Sequence, residues 1–195
     1  MMNIRPSSST GVLLALVYNN TVPLSVAVVT KGEEDAVGFL IPINTLMFTS
    51  DQTFVTLFAF ALQNLQVFLD GVSVATLDSL MLCYPDRLMV QLNVTPTEIQ
   101  ISANSSTVSY IKSDALQKAL EHLNTTMQNP IGTYIGGIPV AVPLHATPVS
   151  AFYHGCLDIA INDRQLDFDE ALSKHNSIKS HSCPPVRDPE HPRPA

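Results

Sequence analysis

The chain has 195 residues, 46% hydrophobic and only 14% charged, and its 10 Lys/Arg against 17 Asp/Glu leave a formal charge of −7. So much apolar side chain can bury a core, which excludes an intrinsically disordered chain, and the length fits one domain with appendages. An acidic, lysine-poor chain has no clustered cations for nucleic-acid phosphates or for anionic lipid headgroups.

Residues 11–18 are short and apolar, and residues 23–29 alternate Leu24, Val26 and Val28 with smaller side chains, so both are expected as strands. Asn19-Asn20-Thr21 between them is a turn, because Asn tolerates left-handed backbone and bonds within its own turn. Residues 31–35 close the hairpin as a solvated loop. Residues 36–50 and 52–69 carry no charge. The second run approaches the length of a membrane-spanning helix. It also holds Gln52, Gln63, Asn64 and Gln66, so a buried or aberrant segment is the better reading. Short strands follow at 65–69, 72–77, 79–83, 88–92, 98–102 and 107–111. Asp70-Gly71, Tyr84-Pro85-Asp86 and Asn104-Ser105-Ser106 are among the turns between them. Strands at this spacing predict a β-sandwich or jelly roll. One helix begins at Ser113-Asp114, carries Leu116, Ala119, Leu120, Leu123 and Met127 as one apolar stripe, and stops at Asn129-Pro130. Residues 133–135 form a strand that leads into a Gly136-Gly137-Ile138-Pro139 turn. A further strand over 152–161 presents Leu157, Ile159 and Ile161 on one face. Asn162-Asp163 turns it into 165–168, and 169–175 reads as a short helix. Residues 187–195 are expected as a disordered Pro-rich tail.

No GxSxG, HExxH or phosphate-loop motif occurs. His145, His154, His175, His181 and His191 gather toward the C-terminus without helix-face metal spacing. His154 and Cys156 share a strand face and would suit a base and a nucleophile, but no third residue orients the base. The chain is therefore expected not to be an enzyme. Asp158, Asp163, Asp167, Asp169 and Glu170 lie within thirteen residues. They read plainly as a solvated hairpin and helix start, and more sharply as oxygen ligands for calcium, without EF-hand spacing. Cys83, Cys156 and Cys183 form no CxxC and no zinc pattern. Asn-x-Ser/Thr triplets at Asn19, Asn93, Asn104 and Asn124 are compatible with a secreted glycoprotein. Asn19, in a turn, is the best-placed acceptor, and Asn93 is poorer because Pro96 follows its sequon and strand pairing would hide it. The first six residues hold no apolar stretch of signal-peptide length, so the natural N-terminus of a secreted form would lie elsewhere.

Residues 152–186 carry a specific pattern. Phe-Tyr-His-Gly-Cys-Leu-Asp-Ile-Ala-Ile, Leu-Asp-Phe-Asp-Glu and Ser-Cys-Pro-Pro-Val resemble the extreme C-terminus of the vitamin K-dependent protein S family, which includes the growth-arrest-specific ligand of the TAM receptor kinases. Asn3-Ile-Arg-Pro, residues 11–17, Asn19-Asn-Thr-Val-Pro, Leu82-Cys83, residues 133–139 and Ala146-Thr-Pro-Val149 extend the resemblance to most of the chain. It implies an all-β fold, a laminin G-like antiparallel β-sandwich with one or two short helices. This would be the second of two such domains that form a sex-hormone-binding-globulin-like region. It implies a secreted, non-enzymatic binding module, with TAM receptor kinases, complement four-b-binding protein and coagulation regulators as partners and an anticoagulant role. It implies a disulfide between Cys156 and Cys183; Cys83, which follows Met81-Leu82 in an apolar strand, is then expected as a buried free thiol. It also places Asp169 where the family carries a calcium ligand between its two laminin G-like domains, the other domain supplying the remaining ligands.

Against that pattern, residues 1–186 are expected as a laminin G-like domain truncated at its N-terminus, with a lost opening strand that leaves an unpaired sheet edge. An apolar block at about 38–64 has no counterpart, and a gene-model or splicing artefact explains it better than a new function. Two rival functions follow from these features. One is steroid binding or transport, as in sex-hormone-binding globulin, whose steroid pocket belongs to the first domain. The other is a membrane-anchored adhesion domain that uses residues 52–69.

Overall fold

The computed structural model describes residues 1–6, 10–30, 63–80, 87–103, 106–111, 113–140, 142, 149 and 151–183. The expected tail at 187–195, Cys83, Asn104 and the apolar block up to residue 62 lie outside the described residues.

The described strands, in chain order, are β1 (Met2–Pro6), β2 (Gly11–Tyr18), β3 (Thr21–Thr30), β4 (Gln63–Leu69), β5 (Val72–Leu80), β6 (Leu88–Val94), β7 (Glu98–Ala103) and β8 (Ser106–Ile111). Helix α1 (Asp114–Thr126) follows, then β9 (Gly132–Ile135), β10 (His154–Ile161), β11 (Arg164–Gln165) and β12 (Lys179–His181). They make two sheets. The order β5-β4-β3-β2-β9 builds one, and β11-β10-β1-β6-β7-β8 builds the other, with β12 added in parallel along His154–Cys156 of β10. Every other strand-to-strand ladder is antiparallel.

Period-two alternation decides which faces meet. Leu24, Val26 and Val28 of β3 and Leu65, Val67 and Leu69 of β4 share a core with Ile4, Val90, Ile99, Ile101, Leu157 and Ile159 of the other sheet. Each fully buried aliphatic side chain contributes about 1.5–3 kcal/mol of transfer free energy. A bulge in β2 between Val12 and Leu14 lets Leu13 and Leu14 both join that core, while Val12 and Ala15 pack with Val22 and Ile138 on the opposite face. Three hairpins close through two-residue turns in left-handed backbone: Asn19-Asn20 (φ 45 and 62), Asp70-Gly71 (48 and 80) and Asn162-Asp163 (48 and 62). Asn, Asp and Gly tolerate that conformation at low cost, and its twist matches the flanking strands.

Gly136 and Gly137, expected as a turn, have a stricter role. Both have positive φ, 74 and 141. A Cβ at Gly136 would strike the Ser180 hydroxyl on β12, and one at Gly137 would strike the Phe152 ring. These two positions let the end of β9 lie against β10 and β12.

Helix α1 starts as its sequence predicts: the Ser113 hydroxyl accepts from the Leu116 N–H at 3.2 Å. Leu116, Leu120 and Leu123 are buried, but the stripe ends on Thr126. Met127 is 50% exposed because it is already the C-cap residue, where the chain leaves the sandwich. His122 Nδ1 lies 2.9 Å from Asp70 Oδ2 and ties the exposed face of the helix to the β4–β5 turn.

The observed elements differ from expectation in five places. Residues 72–77 and 79–83 were expected as two strands; the described part is one strand, β5. Strand β4 opens at Gln63, and Gln63 and Asn64 pair with Thr30 and Val29, so the end of the apolar block belongs to the sheet. Ile161 is 39% exposed, because it lies at the end of β10 beside the turn. The return strand has only Arg164 and Gln165, and the helix expected at 169–175 is a single 3-10 turn, Phe168–Glu170, since Ala171 is already extended (φ −63, ψ 131). Strand β1 pairs with β10 on one side and β6 on the other.

Candidate functional site

The most specific stretch of sequence folds as one corner of the molecule, built on β10. The Cys156 and Cys183 sulfurs are bonded, with Cα atoms 4.7 Å apart and a sequence separation of 27. Cys156 is buried in the middle of β10, and the bond ties the chain beyond β12 to it. The Cys183 N–H donates to Asp158 Oδ1 at 2.9 Å, so one acid of the expected acidic group serves this tether. Between β11 and β12 only Leu166 and Phe168 pack against the main core. The Phe152 and His175 rings lie parallel, centroids 6.1 Å apart, and the Ser177 N–H donates to His175 Nδ1. With its sulfur in a disulfide, Cys156 is not a thiol nucleophile for His154.

Tyr153 anchors the corner. It is 0% exposed, and its hydroxyl donates to the Cys156 carbonyl at 3.0 Å. Burial pushes the phenol well above its ordinary range, and the backbone and charge of neighbouring Arg5 reverse only part of that. The sign of the pH effect follows. Below about pH 10 the phenol is neutral in both the folded and unfolded chain; above it only the unfolded chain ionises, so stability is lost as pH rises. Tyr153→Phe is expected to cost about 1 kcal/mol at neutral pH through the missing hydrogen bond. That deficit should shrink by about 1.4 kcal/mol per pH unit above pH 10. Urea denaturation of both proteins between pH 8 and pH 11 checks this, and a constant deficit would contradict it.

The other acidic residues do not converge. Asp163 sits in the exposed β10–β11 turn. Asp167 Oδ1 accepts from the Asp169 N–H at 2.9 Å and caps the 3-10 turn. Glu170 lies 3.7 Å from Arg164 on the surface. Asp169 is exposed. Among the described residues no three His, Cys, Asp or Glu side chains gather at metal-binding distance. The described residues therefore do not by themselves form a calcium shell, which needs six to eight oxygens.

The three described sequon asparagines lie at the surface. Asn19 is exposed in the β2–β3 turn, as expected. Asn93 is also exposed. Its backbone pairs with Gln100, but its side chain points away from the core, so strand pairing does not hide it. Asn124 is exposed on α1. No helix among the described residues is long and apolar enough to cross a membrane.

Sequence reasoning missed β1, β12 and Tyr153. The signal for β1 was present, since Met2 and Ile4 alternate with Asn3 and Arg5. The three residues of β12 are too few for any periodicity, and β12 is a strand only because β10 offers it an edge.

Two packed antiparallel sheets, a capped helix at one end and a disulfide-tied C-terminal corner define a laminin G-like β-sandwich. The chain is similar to vitamin K-dependent protein S of Oryctolagus cuniculus, with 35% identity over 185 residues, 95% of this chain and 24% of that protein. It is 32% identical to growth arrest-specific protein 6 of Mus musculus over 185 residues, 94% of this chain and again 24% of the relative. The chain thus spans about a quarter of the length of these curated relatives, and it is protein S-like along nearly all of its own. No family model matches it.

Proposed function

We propose that residues 1–186 form a non-enzymatic, protein-binding laminin G-like module of a secreted glycoprotein that acts as a receptor ligand and anticoagulant cofactor. The carrying observation is the similarity to protein S over 95% of the chain. The partners that the family resemblance implies are TAM receptor kinases, complement four-b-binding protein and coagulation regulators. Surface plasmon resonance of the folded chain against TAM receptor ectodomains and complement four-b-binding protein tests this. Saturable binding to either supports it. A folded chain that binds neither would remove the module from the binding region of such a protein.

Calcium enters this function only through a second domain. Asp169 offers one exposed carboxylate, and the preceding laminin G-like domain would supply the remaining oxygens of an interdomain clamp. Isothermal titration of calcium into this chain is expected to give no saturable heat, with or without Asp169→Ala. A longer form carrying the preceding domain should bind calcium and lose affinity with Asp169→Ala. Equal affinity in all four proteins would remove Asp169 from the clamp while leaving the protein-binding function intact.

A further inference from the structure

Helix α1 does not close completely on the sandwich. A cavity of about 320 Å³ remains between α1, strands β2 and β3, and the β6–β7 turn, at the small end of the roughly 300–1,000 Å³ range of ligand sites. Leu16, Leu24, Leu120, Leu123 and Met127 give it apolar walls. Met127, half exposed at the helix end, is a flexible thioether that adapts to what it touches.

The polar groups of the wall are one-sided. Among the described residues Glu121 is the single charged one lining the cavity, and no described Lys or Arg lines it. Gln117, in the same wall, donates its amide Nε2 to Glu121 Oε1 at 2.5 Å. A carboxylate only accepts, so this bond fixes the amide orientation. The Gln117 oxygen is then left buried without a hydrogen-bond partner among the described residues. A buried acceptor without a donor is destabilising. Among the described residues the lining therefore offers one carboxylate and an unpaired acceptor, its side-chain donors are neutral (Asn124, Thr95 and Gln117), and it holds no positive charge.

We propose that this cavity binds a single-chain cationic amphiphile, a long-chain amine whose alkyl chain lies against the leucines and Met127 and whose ammonium sits beside Glu121. The volume fits a single alkyl chain. Charge selects against fatty acids, because a carboxylate head would face Glu121 with no cation among the described lining residues to offset it. This site is independent of the protein-binding function proposed above.

The test titrates dodecylamine and laurate, each below its micelle-forming concentration, into the full chain while the methyl NMR signals of Leu24, Leu120, Leu123 and Met127 are recorded. The amine should give saturable shifts at these methyls. Laurate should bind at least about tenfold more weakly, the ratio of one surface-strength attraction to one repulsion. Glu121→Gln, at an exposed position, should bring the two ligands within about threefold of each other. Equal affinities in the unaltered chain, shifts confined to other residues, absence of a saturable amine response, or an undiminished preference in Glu121→Gln would each overturn the proposal.

Discussion

Replacing Cys156 and Cys183 together, as Cys156→Ser with Cys183→Ala, should lower the stability of the folded chain by about 3.5 kcal/mol. That is the loop-entropy value for a closed loop with a sequence separation of 27. For a protein of this size the loss corresponds to a fall in Tm of roughly 10 °C. The loss should concentrate in one region. Between β11 and β12 the chain has only Leu166 and Phe168 packed on the core, and β12 itself is three residues long. Without the disulfide this segment has little burial to offset the entropy of ordering it. Hydrogen exchange should show residues 166–183 losing protection while β3 and β4 keep theirs. A stability loss below about 1 kcal/mol, or unchanged protection at β12, would contradict the tether's role.

Ile4→Ala should be comparably severe, costing about 2–5 kcal/mol, the range for a large aliphatic side chain truncated inside a packed core. Ile4 is 0% exposed. It faces Leu157 on β10 and Leu88 on β6 across its two ladders. Strand β1 is the hydrogen-bonded connection between β10 and β6 in the larger sheet. A cavity at its centre weakens the join between the C-terminal corner and the β6–β8 meander. Urea denaturation measures the loss. A cost under about 1 kcal/mol would mean that β1 can leave its slot without opening the core.

The sequence by itself determined much of this protein, because its strongest signals are local. Alternation in residues 98–103 reports which face is buried, and alternation in 21–30 reports which side chains enter the main core, since both faces of that strand are buried. Asn19-Asn20, Asp70-Gly71 and Asn162-Asp163 supply the left-handed backbone that tight hairpins require. Ser113 and the leucines of α1 specify where that helix begins and which face turns inward. The all-β sandwich, the helix and the hairpin turns could be read from those residues. Residues 152–186 went further, since their order resembles that of one family closely enough to indicate the cysteine pairing.

Tertiary structure decided what depends on partners distant in sequence. Met2–Pro6 is a strand because β10 and β6, more than eighty residues away, leave it a slot with both edges unsatisfied. Lys179–His181 is a strand because β10 has a free edge and a disulfide holds the chain beside it. Met127 has the apolar character and spacing of a core residue but lies half exposed, since the helix ends there. Ile161 is partly exposed because it lies at the end of β10 beside the turn. The acidic residues between Asp158 and Glu170 are neighbours in sequence, yet a turn, a cap, a surface ion pair and a backbone tether disperse them. The cavity under α1 has no sequence signature, because it is the space left where a helix of fixed length meets two sheets whose spacing is set by other side chains. Local chemistry chooses the elements of this fold; the long-range ladders and the space between the layers decide which side chains meet.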